Sequence, residues 1–128
     1  EGIGPEFQDK LEFVGIRTVP ELLAKTLTEQ DRAELAKSSS IPQGYIDNWA
    51  SMLDLTRVEG IGYQYAELLT YSGVKSVKDL RKRNPENLYE LVNEANKEKH
   101  FSGTVPSSDF LASIIDRSKK VTNIIERY

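Results

Sequence analysis

Glu-Gly-Ile-Gly occurs twice in this chain, at residues 1–4 and 59–62, and the second copy begins 58 residues after the first. Laid at that offset, residues 1–22 and 59–80 are identical at eight of 22 positions. Among the remainder are conservative pairs: Phe7/Tyr65, Phe13/Tyr71, Ile16/Val74, Arg17/Lys75, Thr18/Ser76 and Glu21/Asp79. Self-similarity at a fixed period means one structural unit used twice. A length of 128 residues then fits two very small units sharing a core, or one ordinary domain. The repeated tetrapeptide also raises a function. A Gly-apolar-Gly turn that opens a helix presents bare backbone amides at the positive helix end, where phosphate binds.

Composition narrows the classes. A hydrophobic fraction of 38% with five Pro and eight Gly describes a chain that folds. There is no cysteine, which excludes disulfides, thiolate zinc sites and a Cys nucleophile. No apolar run approaches the roughly 20 residues of a membrane helix, and no signal-peptide core is visible. The chain starts at Glu1 and its single methionine is Met52, so the expectation is a piece of a longer protein. The net charge of −3 is unevenly placed: residues 1–58 carry −4 and residues 59–128 carry +1. Lys75, Lys78, Arg81, Lys82 and Arg83 lie within nine residues beside one acid, Asp79. Such a cluster faces either phosphates or solvent.

Helix signals run through most of the chain, with no strand pattern. Pro5 to Phe13 reads as a helix closed by Gly15. Thr18 opens a short helix to about Lys25, and Thr28 with Asp31 opens another to about Lys37, before a Lys37–Ser40 loop. Pro42 fits a first-turn proline ahead of a helix bearing Tyr45, Ile46, Trp49, Met52 and Leu53. The plan then recurs: Tyr63 to Tyr71 closed by Gly73, Ser76 to about Arg83, and Asn84-Pro85-Glu86 opening a helix to about Lys97. After a 99–105 loop, Val105-Pro106 echoes Ile41-Pro42. Phe110, Leu111, Ile114, Ile115, Val121, Ile124, Ile125 and Tyr128 are spaced for one long last helix.

Around the second tetrapeptide each residue type has a physical job. Leu55 and Val58 belong to an incoming helix and Leu69 to the outgoing one. Gly60 and Gly62 permit a tight reversal. Ile61 plugs the space between the helices, and Ala66 is small enough to let them cross closely. This pattern resembles the helix-hairpin-helix motif over residues 55–69. In the first copy Gln8 stands where Ala66 stands, and the incoming helix is missing. From Glu1–Gly4 through Ile41-Pro42, Trp49, Val58, Asn84–Leu88 and Val105-Pro106 to Val121, the chain resembles a bacterial domain-of-unknown-function family, numbered 4332. That resemblance implies paired helix-hairpin-helix units and no established activity. The expected fold is all-α: two tandem helix-hairpin-helix-containing repeats, 1–58 and 59–128, packed as one compact domain.

Helix-hairpin-helix proteins that bind DNA contact backbone phosphates through hairpin amides, and some hold a monovalent cation on hairpin carbonyls. By that resemblance the contacting groups here are Gly60, Ile61, Gly62 and Tyr63, with Gly2, Ile3 and Gly4 in the other copy. Arg57, Lys75 and Lys78 add side-chain charge nearby. Against this, Glu1 and Glu59 place a carboxylate before each hairpin, and neither hairpin is followed by Lys or Arg. The Phe7/Tyr65 and Phe13/Tyr71 pairs and Trp49 are read as core, and Tyr63 as the exposed aromatic. His100 is read as a solvated loop residue. No constellation of catalytic, metal-binding or cofactor-binding residues is present. The expected function is therefore a non-catalytic helix-hairpin-helix binding module, a protein-interaction or scaffold domain of a larger intracellular protein in the cytoplasm, with no cofactor and no membrane contact. The alternative is sequence-independent binding of the DNA backbone through the Gly-Ile-Gly hairpins. The partner is expected in the groove left by the missing helix of the first unit, filled either by another protein or by the chain's own C-terminal helix. The molecule is expected to be a monomer or weak dimer.

Overall fold

The computed structural model describes residues 4–99 and 106–126, the side chain of Lys99 excepted. The described residues form eight helices and no strand: α1 (Pro5–Phe13), α2 (Val19–Ala24), α3 (Glu29–Ser39), α4 (Gln43–Leu55), α5 (Tyr63–Tyr71), α6 (Val77–Arg81), α7 (Pro85–Lys99) and α8 (Ser108–Ser118). His100, Gly2 and Ile3 lie outside the described residues, as does most of the 99–105 loop.

Local chemistry places the helix ends. α1 and α5 are both nine residues long and start 58 residues apart. Each ends on a glycine at positive φ, +90° at Gly15 and +106° at Gly73, a conformation that side chains resist. Beyond each glycine the next amide reaches back to the helix, Ile16 N–H to Leu11 O at 2.9 Å and Val74 N–H to Leu69 O at 3.0 Å. The following short helices start on hydroxyl caps: Thr18 accepts from Glu21 N–H, and Ser76 from Asp79 N–H. Glu21 completes a capping box by accepting from the amides of Arg17 and Thr18. Those bonds, the Arg17 amide foremost, hold its carboxyl below the usual carboxylate range.

Two apolar clusters form the core, and α4 belongs to both. Ile46, Trp49 and Leu53 pack with Leu11, Ile16, Leu22, Leu35 and Ile41. Met52, Leu55 and Val58 face a larger cluster built from α5 to α8, including Leu69, Leu80, Leu88 and Ile114. Trp49 is a buried anchor as its helical stripe predicts, with the Phe7 and Tyr45 ring centroids 5.6 and 6.2 Å away. Tyr65 packs against Phe110 at 5.2 Å.

Five expectations are corrected. Phe13 and Tyr71 are not core: they are 91% and 44% exposed, because they sit on the outer face of their helices. Tyr71 instead donates its hydroxyl to Glu98 Oε2 at 2.9 Å, a bond that raises its pKa. Tyr63 is not the free aromatic, since it is partly buried and packs against both clusters. α3 runs to Ser39, two residues into the expected loop, and Pro42 is the residue before α4, not in its first turn. The last helix ends at Ser118, so Val121, Ile124 and Ile125 do not continue it.

Candidate binding surface at the hairpin and the C-terminal tail

α4 and α5 are joined by residues 56–62, which reverse the chain through Gly60 at φ +99°. Val58 N–H bonds Leu55 O and Ile61 N–H bonds Val58 O, both at 3.1 Å, which coils the approach to the turn. Leu55, Val58, Ile61, Ala66 and Leu69 are all buried. The apolar residues of the pattern are thus buried, although Val58 lies beyond the end of α4 and not in the incoming helix.

The tip of this turn lies against α8. Arg117 Nη1 donates to Glu59 O at 3.0 Å. A Cβ on Gly60 would stand 2.6 Å from that Nη1 and 3.8 Å from Ile114. The Glu59 carbonyl at the turn therefore already accepts from a side chain of the same molecule. Gly62, by contrast, caps α5 at φ −85° with open space where a Cβ would project. We expect Gly60→Ser to cost about 1–3 kcal/mol, from a strained backbone and a displaced Arg117. Gly62→Ser adds a capping hydroxyl and is expected within about 0.5 kcal/mol of the parent, or slightly above it. Urea titrations of the two variants check this, and equal losses at both positions would contradict the packing described.

The bases near the turn are mostly engaged internally. Arg57 donates to Asp54 Oδ1 at 2.5 Å and also to Thr122 O. Arg83 grips Asp79 through Nε and Nη2, both at 3.1 Å, and bonds Gly73 O. Arg81 donates to Ser118 O at 3.3 Å and Val121 O at 2.5 Å. Lys75 is half-buried, and Lys78 is exposed at the edge of a cleft. In the first unit, Gly4 is an exposed residue capping α1, and its carbonyl accepts from Gln8 N–H at 3.0 Å. The structure thus brings Gly60, Ile61, Gly62, Tyr63 and Arg57 together, while Lys75 and Lys78 belong to the approach and first turn of α6.

Sequence reasoning missed a buried charge that is bonded in three directions. Arg32 is 1% exposed. It donates through Nε to Asp47 Oδ1 (2.8 Å), through Nη1 to Thr26 O (2.8 Å) and through Nη2 to Glu126 O (2.7 Å). Its signal was the inward spacing it shares with Leu35 and Ser39 on α3. Glu126 is its counterpart in the C-terminal tail. The Glu126 amide bonds Leu27 O, and its carboxylate accepts from Glu29 N–H at 2.8 Å, in the first turn of α3. Ile125 is buried beside it. A cleft of about 580 Å³ stays open between the tail and Glu29, Arg32, Asp47 and Lys78. Among the described residues no group of three or more His, Asp or Glu could hold a metal ion. None of the described helices is long and apolar enough to cross a membrane.

A family model described as a domain of unknown function, DUF4332, matches residues 1–121. The chain belongs to that family. No curated protein and no solved structure matches the chain. All three tail-binding arginines of this DUF4332 domain, Arg32, Arg57 and Arg81, lie inside the matched span. The Thr122 and Glu126 carbonyls that they hold lie beyond it.

Proposed function

We propose that this DUF4332 domain is a non-catalytic protein-binding module built on two helix-hairpin-helix units. The observation that carries the reading is the internal use of charge at the second hairpin. Arg117 occupies the Glu59 carbonyl, while Arg57 serves Asp54 and the tail. Phosphate binding relies on cations that can leave water for the ligand, and cations already bonded to carbonyls and carboxylates add little. Glu59 stands exposed at the same tip and adds repulsion. Exposed aromatic surface points to protein contact: Phe13 is almost wholly in water, and Tyr45 is exposed beside Phe7 and Trp49.

Fluorescence anisotropy with a labelled duplex of about 20 base pairs tests this, titrated from low to near-physiological salt. No binding at low salt is the expected result. Micromolar binding to two unrelated duplexes, weakening steeply with salt, would overturn the reading in favour of a phosphate-contacting module.

A further inference from the structure

We propose that the groove holding the C-terminal tail is a receptor for an extended peptide segment bearing an aliphatic residue followed by a carboxylate, and that residues 122–126 occupy it as an internal competitor. The inference rests on the protein-binding reading and names the chemistry of the partner. Recognition of the tail has three parts. Arginines take its main-chain carbonyls: Arg81 at Val121, Arg57 at Thr122 and Arg32 at Glu126. These bonds use main-chain carbonyls of a non-helical segment and ignore side-chain identity. The Ile125 side chain is buried, which selects an apolar residue. The Glu126 carboxylate bonds Glu29 N–H at the start of α3, where the helix dipole favours an anion, and this selects an acidic residue.

The receptor side is built independently of its occupant. Arg32 is held in place by Asp47 and Thr26 O, and Arg57 by Asp54, before either touches the tail. Thr28 caps α3 through Asp31 N–H without the tail's help. The occupant follows directly on the turn after α8, its Thr122, Asn123 and Ile124 are exposed, and the cleft beside it is open. A segment with few buried contacts is drawn from the low-stability end of a structure and opens locally. A partner segment must then outcompete a tethered one, whose advantage is its effective concentration.

The test uses the full chain and a fluorescein-labelled peptide of residues 119–128. In the Ile125→Ala/Glu126→Ala double variant the internal competitor loses its two side-chain anchors. The variant is expected to bind the peptide at least ~10-fold more tightly than the parent. A peptide carrying Glu126→Lys should bind neither. Absence of peptide binding to a folded double variant overturns the inference. Should the variant lose its cooperative melt, hydrogen exchange on the parent decides instead. The amides of Glu29 and Glu126, corrected for intrinsic rate, should exchange together and at least ~10-fold faster than that of Leu88. Exchange at the Leu88 rate would make the tail an integral part of the fold and overturn the inference. Duplex binding in the earlier titration would sink the protein-binding reading whatever the peptide does, whereas a silent peptide with a silent duplex removes this inference alone.

Discussion

Replacing Arg32 with methionine is expected to lower the unfolding free energy by about 3–5 kcal/mol, read from urea denaturation at neutral pH. The size follows from what is left behind. Methionine fills much of the volume but donates nothing, so Thr26 O and Glu126 O lose a charged donor and Asp47 loses its ion partner. Orphaning a buried polar group costs about 1–3 kcal/mol, and here several are affected at once. Arg32→Lys should recover less than half of the loss. A single ammonium cannot reach three acceptors disposed around a planar fork. Asp47→Asn should cost distinctly less than Arg32→Met, because the Asp47 side chain keeps 25% of its exposure while that of Arg32 keeps 2%. A loss below about 1 kcal/mol for Arg32→Met would refute the clamp as a stabilising element.

Asp54→Ala should be comparably damaging, again about 3–5 kcal/mol. Asp54 is fully buried within α4, with one oxygen on Arg57 and the other accepting from Val77 N–H at 2.8 Å. It therefore caps α6 from a neighbouring helix and holds the arginine that binds Thr122. Asn at this position keeps one acceptor but turns an NH2 group toward a second donor, so Asp54→Asn should regain the Val77 bond at most. A second readout separates this role from simple packing. Freed from Asp54, Arg57 loses its orientation, and the Glu126 amide should exchange faster even in conditions where the rest of the domain stays folded. Unchanged exchange at Glu126 would confine Asp54 to the second core.

Much of the helical plan was legible because its punctuation is chemical and local. Pro5, Gly15, Thr18, Ser76, Gly73 and Asn84-Pro85 mark ends through caps and backbone freedom that depend on nothing distant. The end of α8 was not legible for the opposite reason. Val121, Ile124 and Ile125 satisfy a helical stripe, yet Arg81 and Arg57 take the Ser118, Val121 and Thr122 carbonyls that a continued helix would have used. Tertiary donors take carbonyls there, with Ser118 O shared between Arg81 and the Val121 N–H. Phe13 and Tyr71 misled through symmetry: matching aromatics in two units can both lie on the outer face of their helices. At the candidate site the charges of Arg57, Lys75 and Lys78 were visible, but not their partners. A guanidinium destined for a phosphate and one destined for a main-chain carbonyl look alike along a chain.

Glu126 meets Arg32 and Glu29 at sequence separations of 94 and 97, and this sets an order of events. During synthesis the groups of α3 that receive the tail emerge first, and the carboxylate that completes them follows 97 positions after Glu29. Until then the first turn of α3 keeps an amide for which the molecule has not yet made the acceptor, and Arg32 waits with a donor unspent. Long-range closures of this kind form late, since a large loop must be ordered first. The newborn chain thus passes through a stage in which its groove is finished and vacant, the one moment when a visitor faces no resident rival.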